Sequence, residues 1–237
     1  MELFTLDNLI ALITVTALEI VLGIDNIIFL AILTSRLPPE KQPRTRKIGL
    51  VLAMGMRILL LLAIAWVVSL TMPLFHVFNH GVSGRDLIMF GGGLFLIAKA
   101  TFEIHGTLEG TEGQVHVKEH QKVSSVLLQI TLIDIVFSLD SVITAVGMVG
   151  TIEIMVAAVI ISVGIMMLFA NPISVFILRH PTLKMLALSF LILIGFVLVA
   201  DGLGKHIEKG YIYFAMGFSF IVEMLNLKLR KKQENKS

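Results

Sequence analysis

Seven stretches of this chain are each apolar over a length that matches a bilayer: about 9–33, 49–72, 87–104, 124–148, 152–178, 184–200 and 210–227. A helical span needs about 20 predominantly apolar residues to cross a hydrocarbon core of about 30 Å. Inside that core every backbone polar group must find its partner within the protein, which leaves helices as the natural form for runs of this length. The pattern therefore predicts an all-α, polytopic membrane protein with seven transmembrane helices, the whole of 1–237 forming one transmembrane domain. Composition agrees, with 56% hydrophobic and 15% charged residues, outside the range of soluble globular domains. Met1 to Asp7 lacks the basic start and small-residue cleavage site of a removable signal peptide, so the first run is expected to stay in the mature protein.

Charge sets the expected orientation. The link between the first two runs carries Arg36, Lys41, Arg44, Arg46 and Lys47 beside Pro38, Pro39 and Pro43, and reads as an irregular loop. The tail carries Lys228, Arg230, Lys231, Lys232 and Lys236, and the remaining links on that side add Lys118, Lys122, Arg179 and Lys184. The opposite side holds only Arg85, Lys205 and Lys209. The positive-inside rule then puts the N-terminus outside and the C-terminus in the cytoplasm. A formal net charge of +2 is too small to argue for nucleic acid as a partner.

The first and fourth runs repeat one another at an offset of 115. Thr16-Ala-Leu-Glu19-Ile-Val-Leu-Gly23-Ile-Asp25-Asn26 aligns with Thr131-Leu-Ile-Asp134-Ile-Val-Phe-Ser138-Leu-Asp140-Ser141. Two apolar helices share aliphatic residues easily; two carboxylates at matched positions are a much more demanding coincidence. With three predicted spans between the copies, the second is inverted relative to the first. The expected arrangement is inverted repeats over about 7–104 and 123–201, a seventh helix over about 210–227, and a cytoplasmic loop at about 105–122. Inverted repeats are common in secondary transporters, with the site near the midplane where the halves meet.

Carboxylates at the centre of a span are expensive, about 2.5–3.5 kcal/mol each on insertion scales, so Glu19, Asp25, Asp134 and Asp140 need a reason. Pairing with Arg57 and Lys99, the two basic residues within predicted spans, is the structural reading. Four acids against two cations leave a surplus of acid, which points to a bound divalent cation or to protons on some carboxylates. In a straight helix Glu19 and Asn26 share a face, as do Asp134 and Ser141, while the second acid of each motif is rotated by about 120° and displaced by about 9 Å. Either Gly23 and Ser138 mark unwinding that gathers the acids, or the acids form successive stations on a path. Oxygen donors suit Mn²⁺, Ca²⁺ or Mg²⁺; a chain with no cysteine and no mid-span histidine does not suit Zn²⁺ or Cu⁺. Met54, Met56 and Met148 read as packing.

Weaker candidates lie toward the ends of the spans. Lys99 and Glu103, four apart, read either as a helix pair or as a cytoplasmic mouth, and Glu223 with Asn226 as a gate or an interfacial pair. His116 and His120 have the spacing of a regulatory metal pair but sit in a polar loop, where solvated side chains are the default. Asp201 and Glu208 read as solvated ends. Enzyme signatures are missing: there is no zincin motif, nucleotide loop or Gly-x-Ser-x-Gly elbow, and Gly91-Gly-Gly93 reads as close helix packing.

Glu19-Ile-Val-Leu-Gly-Ile-Asp25-Asn26, Asp134-Ile-Val-Phe-Ser-Leu-Asp140-Ser141 and Gly210-Tyr-Ile-Tyr-Phe-Ala-Met-Gly-Phe-Ser219, in this order over about 7–227, resemble the TerC family of bacterial membrane proteins. The resemblance implies seven helices, a bacterial plasma (inner) membrane location and Mn²⁺ efflux, beside an older association of the family with tellurium resistance. It implies a metal role for Glu19, Asp25, Asn26, Asp134, Asp140 and Ser141. The expected function is a divalent cation transporter, with Mn²⁺ as substrate and Ca²⁺ as the nearest rival, no organic cofactor, and Arg57, Lys99, Glu103 and Glu223 tuning charge or lining the pathway. Beyond the metal ion and the bilayer, the partners left open are a second copy of the chain, exported metalloenzymes and the secretion machinery. The competing expectation is a membrane scaffold or assembly factor whose acids are paired structurally.

Overall fold

A computed structural model describes residues 5–77, 80–108, 121–148 and 151–234, and these are almost all helical. In chain order the elements are α1 (Leu6–Thr34), α2 (Gln42–Leu62), α3 (Ile64–Ser69), β1 (Pro73–Val77), β2 (His80–Ser83), α4 (Gly84–Leu108), α5 (Val123–Met148), α6 (Ile152–Arg179), α7 (Pro181–Gly202) and α8 (Lys209–Glu234). Among the described residues, six helical stretches are long and apolar enough to cross a membrane: Leu6–Thr34, Gly84–Leu108, Val123–Ile143, Ile152–Arg179, Pro181–Gly202 and Gly210–Leu229.

The second apolar run is where structure and expectation part. Instead of one helix over about 49–72, the chain forms α2, breaks at Ala63 (φ −91°, ψ 25°), and resumes as the six-residue α3. It then enters the antiparallel β1–β2 hairpin. The break at Ala63 and the end of α3 at Ser69 divide the run, and the hairpin begins where the run ends. At its other end α2 starts seven residues earlier than expected, because Pro43 falls in the first turn, where a missing N–H costs nothing. Arg44, Arg46 and Lys47 are consequently helical rather than part of an irregular loop.

Helix ends follow local chemistry. Thr5 caps α1 through Asn8 N–H donating to Thr5 Oγ1 at 3.3 Å. At the end of α7, Gly204 adopts φ 74°, and Lys205 N–H reaches back to Ala200 O at 2.8 Å, a left-handed stop that favours glycine.

Helix α1 packs along α6, α4 along α7, and α2 against both α5 and α6. The α4–α7 seam is closed by backbone contact: a Cβ on Gly93 would lie 2.5 Å from Gly195 O, and one on Gly202 would lie 2.6 Å from Asp86 O. Small residues let membrane helices approach this closely. Large apolar side chains point outward along the bundle, among them Leu62, Phe102, Leu168 and Phe214, as hydrocarbon solvent permits. Helix α8 lies largely outside the bundle and makes its main contact with α7.

Candidate functional site

Helix α1 runs unbroken through Gly23, and α5 through Ser138. The unwinding left open from the sequence is absent. Gly23 serves packing instead: a Cβ there would come within 2.3 Å of Met166 Sδ on α6.

With both helices intact, the acids of each motif stay apart along the axis, and the structure joins acids from different motifs. Arg57 on α2 donates through Nη1 to Glu19 Oε2 and through Nη2 to Asp134 Oδ1, the latter at 3.2 Å. Asp134 Oδ1 also accepts from Asn26 Nδ2 at 3.1 Å, and Asp134 Oδ2 accepts from Ser138 Oγ at 3.1 Å. Glu19, Arg57 and Asp134 each expose 3% or less, so this is a buried ionic triad contributed by α1, α2 and α5. Two carboxylates and one guanidinium leave a formal charge of −1 where isolated charges are costly.

Two small cavities flank Arg57. One, of about 10 Å³, is lined by Asn26, Phe29 and Leu30 of α1, Leu50, Ala53 and Arg57 of α2, Ile130, Ile133 and Asp134 of α5, and Val163 and Met166 of α6. The other, of about 50 Å³, is lined by Leu22, Asp25, Arg57, Phe137, Ser141, Ile194, Val197, Leu198, Ile212 and Tyr213. The smaller volume is near the minimum for one water, and the larger has room for more than one. Arg57 lines both.

Asp25 is buried and faces the larger cavity with Ser141, whose hydroxyl donates to Ser138 O at 3.2 Å. Asp140 lies on α5; its side chain falls outside the described residues, as do His116 and His120 altogether. Among the described residues no group of three or more acid, histidine or cysteine side chains is arranged to hold a metal ion. The oxygen donors Glu19, Asn26, Asp134 and Ser138 are instead gathered around Arg57 or Asp134.

Lys99 does not join the central acids. It sits on α4 near Arg36 and Glu103, where Arg36 Nε donates to Glu103 Oε2 at 2.8 Å and Lys184 Nζ lies 3.9 Å from Glu103 Oε1. Glu223 pairs locally with Asn226 on α8 at 3.3 Å, ten residues beyond the cavity residue Tyr213. Asp201, expected to be solvated, is 5% exposed and lies 3.3 Å from His206 Nδ1; Glu208 is exposed.

Three participants were not singled out from the sequence. Ile212 and Tyr213 close the larger cavity from α8; Tyr213 stands inside the Gly210–Ser219 motif, so that motif was the available signal. Arg46, expected in a loop, is 2% exposed. It donates to Thr34 Oγ1 at 2.9 Å, Asn171 Oδ1 at 2.7 Å and Gln42 Oε1 at 2.9 Å, linking α1, α2 and α6. No periodicity in so basic a segment distinguishes a buried arginine from a solvated one.

The "Integral membrane protein TerC family" model matches residues 4–237. Relatives of similar length include a "UPF0053 protein" of Haemophilus influenzae, 56% identical over 225 residues and covering 94% of both chains. The "UPF0053 inner membrane protein YgdQ" of Escherichia coli K12 is 54% identical over 223 residues, again covering 94% of both. A longer relative, "UPF0053 inner membrane protein YoaE" of the same organism, is 51% identical over 216 residues, which is 91% of this chain and 42% of the relative. No solved structure matches the chain. With a family match over essentially its whole length, close inner-membrane relatives and six membrane-length helices among the described residues, the chain belongs to the TerC family of multi-pass integral membrane proteins.

Proposed function

We propose that the protein exports a divalent cation, Mn²⁺ by preference, from the cytoplasm along a path that crosses the Glu19–Arg57–Asp134 triad. The observation that carries this reading is the position of Arg57, bonded to a carboxylate from each motif and lining both central cavities. In the cation-free state the guanidinium occupies the place of the cargo. A metal ion entering one cavity displaces it, takes carboxylate oxygens from Glu19 and Asp134, and moves to Asp25, Asp140 and Ser141. Hard oxygen donors favour Mn²⁺ or Ca²⁺ over softer-ligand metals. Protons compete with metal for the same lone pairs, so proton exchange is the driving force proposed. No enzymatic step is part of the reading.

The inverted repeat and the seventh span belong to the same proposal. Exchanging α1 with α5, α2 with α6 and α4 with α7 carries the α1–α6 contact onto α5–α2 and the α1–α7 contact onto α5–α4; the α4–α7, α2–α6 and α1–α5 contacts map onto themselves, and all of these contacts occur. The cavities add a second support. The smaller takes residues 26–30 of α1 with 130–134 of α5, and the larger takes 22–25 with 137–141. The two helices thus run through the site in opposite directions. Helix α2 with α3 would complete seven spans, placing the N-terminus outside and the basic C-terminus in the cytoplasm.

The test is Mn²⁺ uptake into inside-out vesicles, with Ca²⁺ as competitor, comparing wild type with Asp25→Asn and Asp140→Asn at equal protein level. The expected result is uptake by wild type and background in both variants. Uptake unimpaired by the substitutions would overturn the site. Absence of uptake even in wild type would favour the scaffold reading, in which the triad is purely structural.

A further inference from the structure

The basic residues at one end of α1, α4 and α7 form a cluster that the transport path does not use. Its centre is Glu103, 7% exposed. Arg36, two residues past the end of α1, reaches it through Nε at 2.8 Å, and Lys184, in the first turn of α7, stands 3.9 Å away. Lys184 Nζ also donates to Thr107 Oγ1 on α4 at 3.3 Å. Lys99, one turn before Glu103, lies in the electrostatic field of both Arg36 and Glu103 and makes no hydrogen bond among the described residues. Three cations thus face one described carboxylate, a formal excess of +2.

Glu103 leaves most of the donor capacity unused. A guanidinium has five N–H donors and each ammonium three, and the Arg36 and Lys184 side chains remain 39% and 23% exposed. Helix α7 begins here with Pro181 in its first turn and no side-chain cap, so its positive end adds to the same field. Arg36, Glu103 and Lys184 sit within two turns of a helix end, which in a spanning bundle is the depth of the lipid headgroups, and Lys99, two and a half turns in, reaches that depth through its long apolar stem. Exposed Lys41, Arg44 and Lys47 extend the charge along the start of α2.

We propose that Arg36, Lys99 and Lys184 form a binding site for a phosphate group, and specifically for the phosphodiester of an anionic lipid in the adjoining leaflet. Basic pockets between membrane helices take such headgroups. The occupant neutralises the excess charge and bridges the ends of α1, α4 and α7. The site is independent of the triad and of any cargo.

The experiment measures lipid retained by the purified full-length protein in native mass spectrometry, with phosphatidylglycerol or phosphatidylcholine supplied in detergent, and the thermal midpoint in each. The variants are Lys99→Gln, which leaves the bonds of Glu103 intact, and Lys99→Gln with Lys184→Gln. Phosphatidylglycerol should be retained in preference to phosphatidylcholine, raise the midpoint, and lose affinity about fivefold for each lysine removed. Retention unchanged in the lysine variants, or equal for the two lipids, would overturn the site. A third arm supplies inorganic phosphate alone: stabilisation equal to that by phosphatidylglycerol would assign the pocket to a soluble phosphate and overturn the lipid assignment.

Discussion

Asn26 and Asp134 meet across the bundle, the amide Nδ2 donating to the carboxylate Oδ1 at 3.1 Å. They are 108 residues apart, one from each acidic motif, and their contact makes two separate membrane helices into one polar site. Arg57 bonds to that same Oδ1, so the amide and the cation share an acceptor whose position is set from three helices.

Replacing Arg57 by glutamine removes the cation and leaves two buried carboxylates facing one another. Breaking a buried ion pair from one side costs about 3–5 kcal/mol, so Arg57→Gln should be strongly destabilised in cation-free detergent. If the site can accept a divalent ion in place of the guanidinium, millimolar Mn²⁺ should recover more stability in the variant than in wild type. Thermal unfolding followed with and without metal measures both effects. A variant indifferent to Mn²⁺ would argue against displacement of Arg57 by cargo.

Asn26→Ala and Ser138→Ala each take one neutral donor from Asp134 and leave the charges in place. Each should cost about 0.5–1.5 kcal/mol, well below the cost of Arg57→Gln. The ordering can be read from thermal midpoints; equal losses for the neutral and charged partners would contradict a triad held chiefly by charge.

The glycines divide by what opposes them. At Gly93 a new Cβ meets the Gly195 carbonyl, which is backbone and cannot turn aside. At Gly23 it meets the end of the flexible Met166 side chain. Gly93→Ala should therefore be the more damaging, by about 1–3 kcal/mol or more from overpacking, and Gly23→Ala should be relieved when Met166 is shortened to alanine. Size-exclusion profiles after graded heating would report the difference.

Tyr213 lines the larger cavity with Asp25 and Ser141; Tyr213→Phe removes only its hydroxyl, whereas Tyr213→Ala also unroofs the cavity. If α8 merely closes that cavity against lipid, the phenylalanine variant should transport like wild type and the alanine variant should leak or stall. Equal loss in both would instead give the hydroxyl a direct part in handling the ion. Vesicle uptake at matched protein levels distinguishes these outcomes.

The membrane-spanning, helical character of the chain was legible in its apolar runs, because hydrocarbon admits few backbone arrangements and their lengths are imposed by the bilayer. The paired acids were legible for the same reason: carboxylates within such runs are too costly to be incidental. What the linear pattern left open was which groups meet. It allowed Arg57 and Lys99 equally as partners for the acids, and only the crossing of α2 between α1 and α5 separates Arg57, at the triad, from Lys99, at the helix ends with Glu103. It left Gly23 open as a point of unwinding, a question decided by Met166 packing against it from 143 residues away. It gave Arg46 to a loop, since a basic segment rich in proline looks solvated until Thr34 and Asn171 are brought alongside. Periodicity and length report what each segment is compatible with by itself. Charge pairing and close packing depend on distances between segments, and those exist only once the helices have been set against one another.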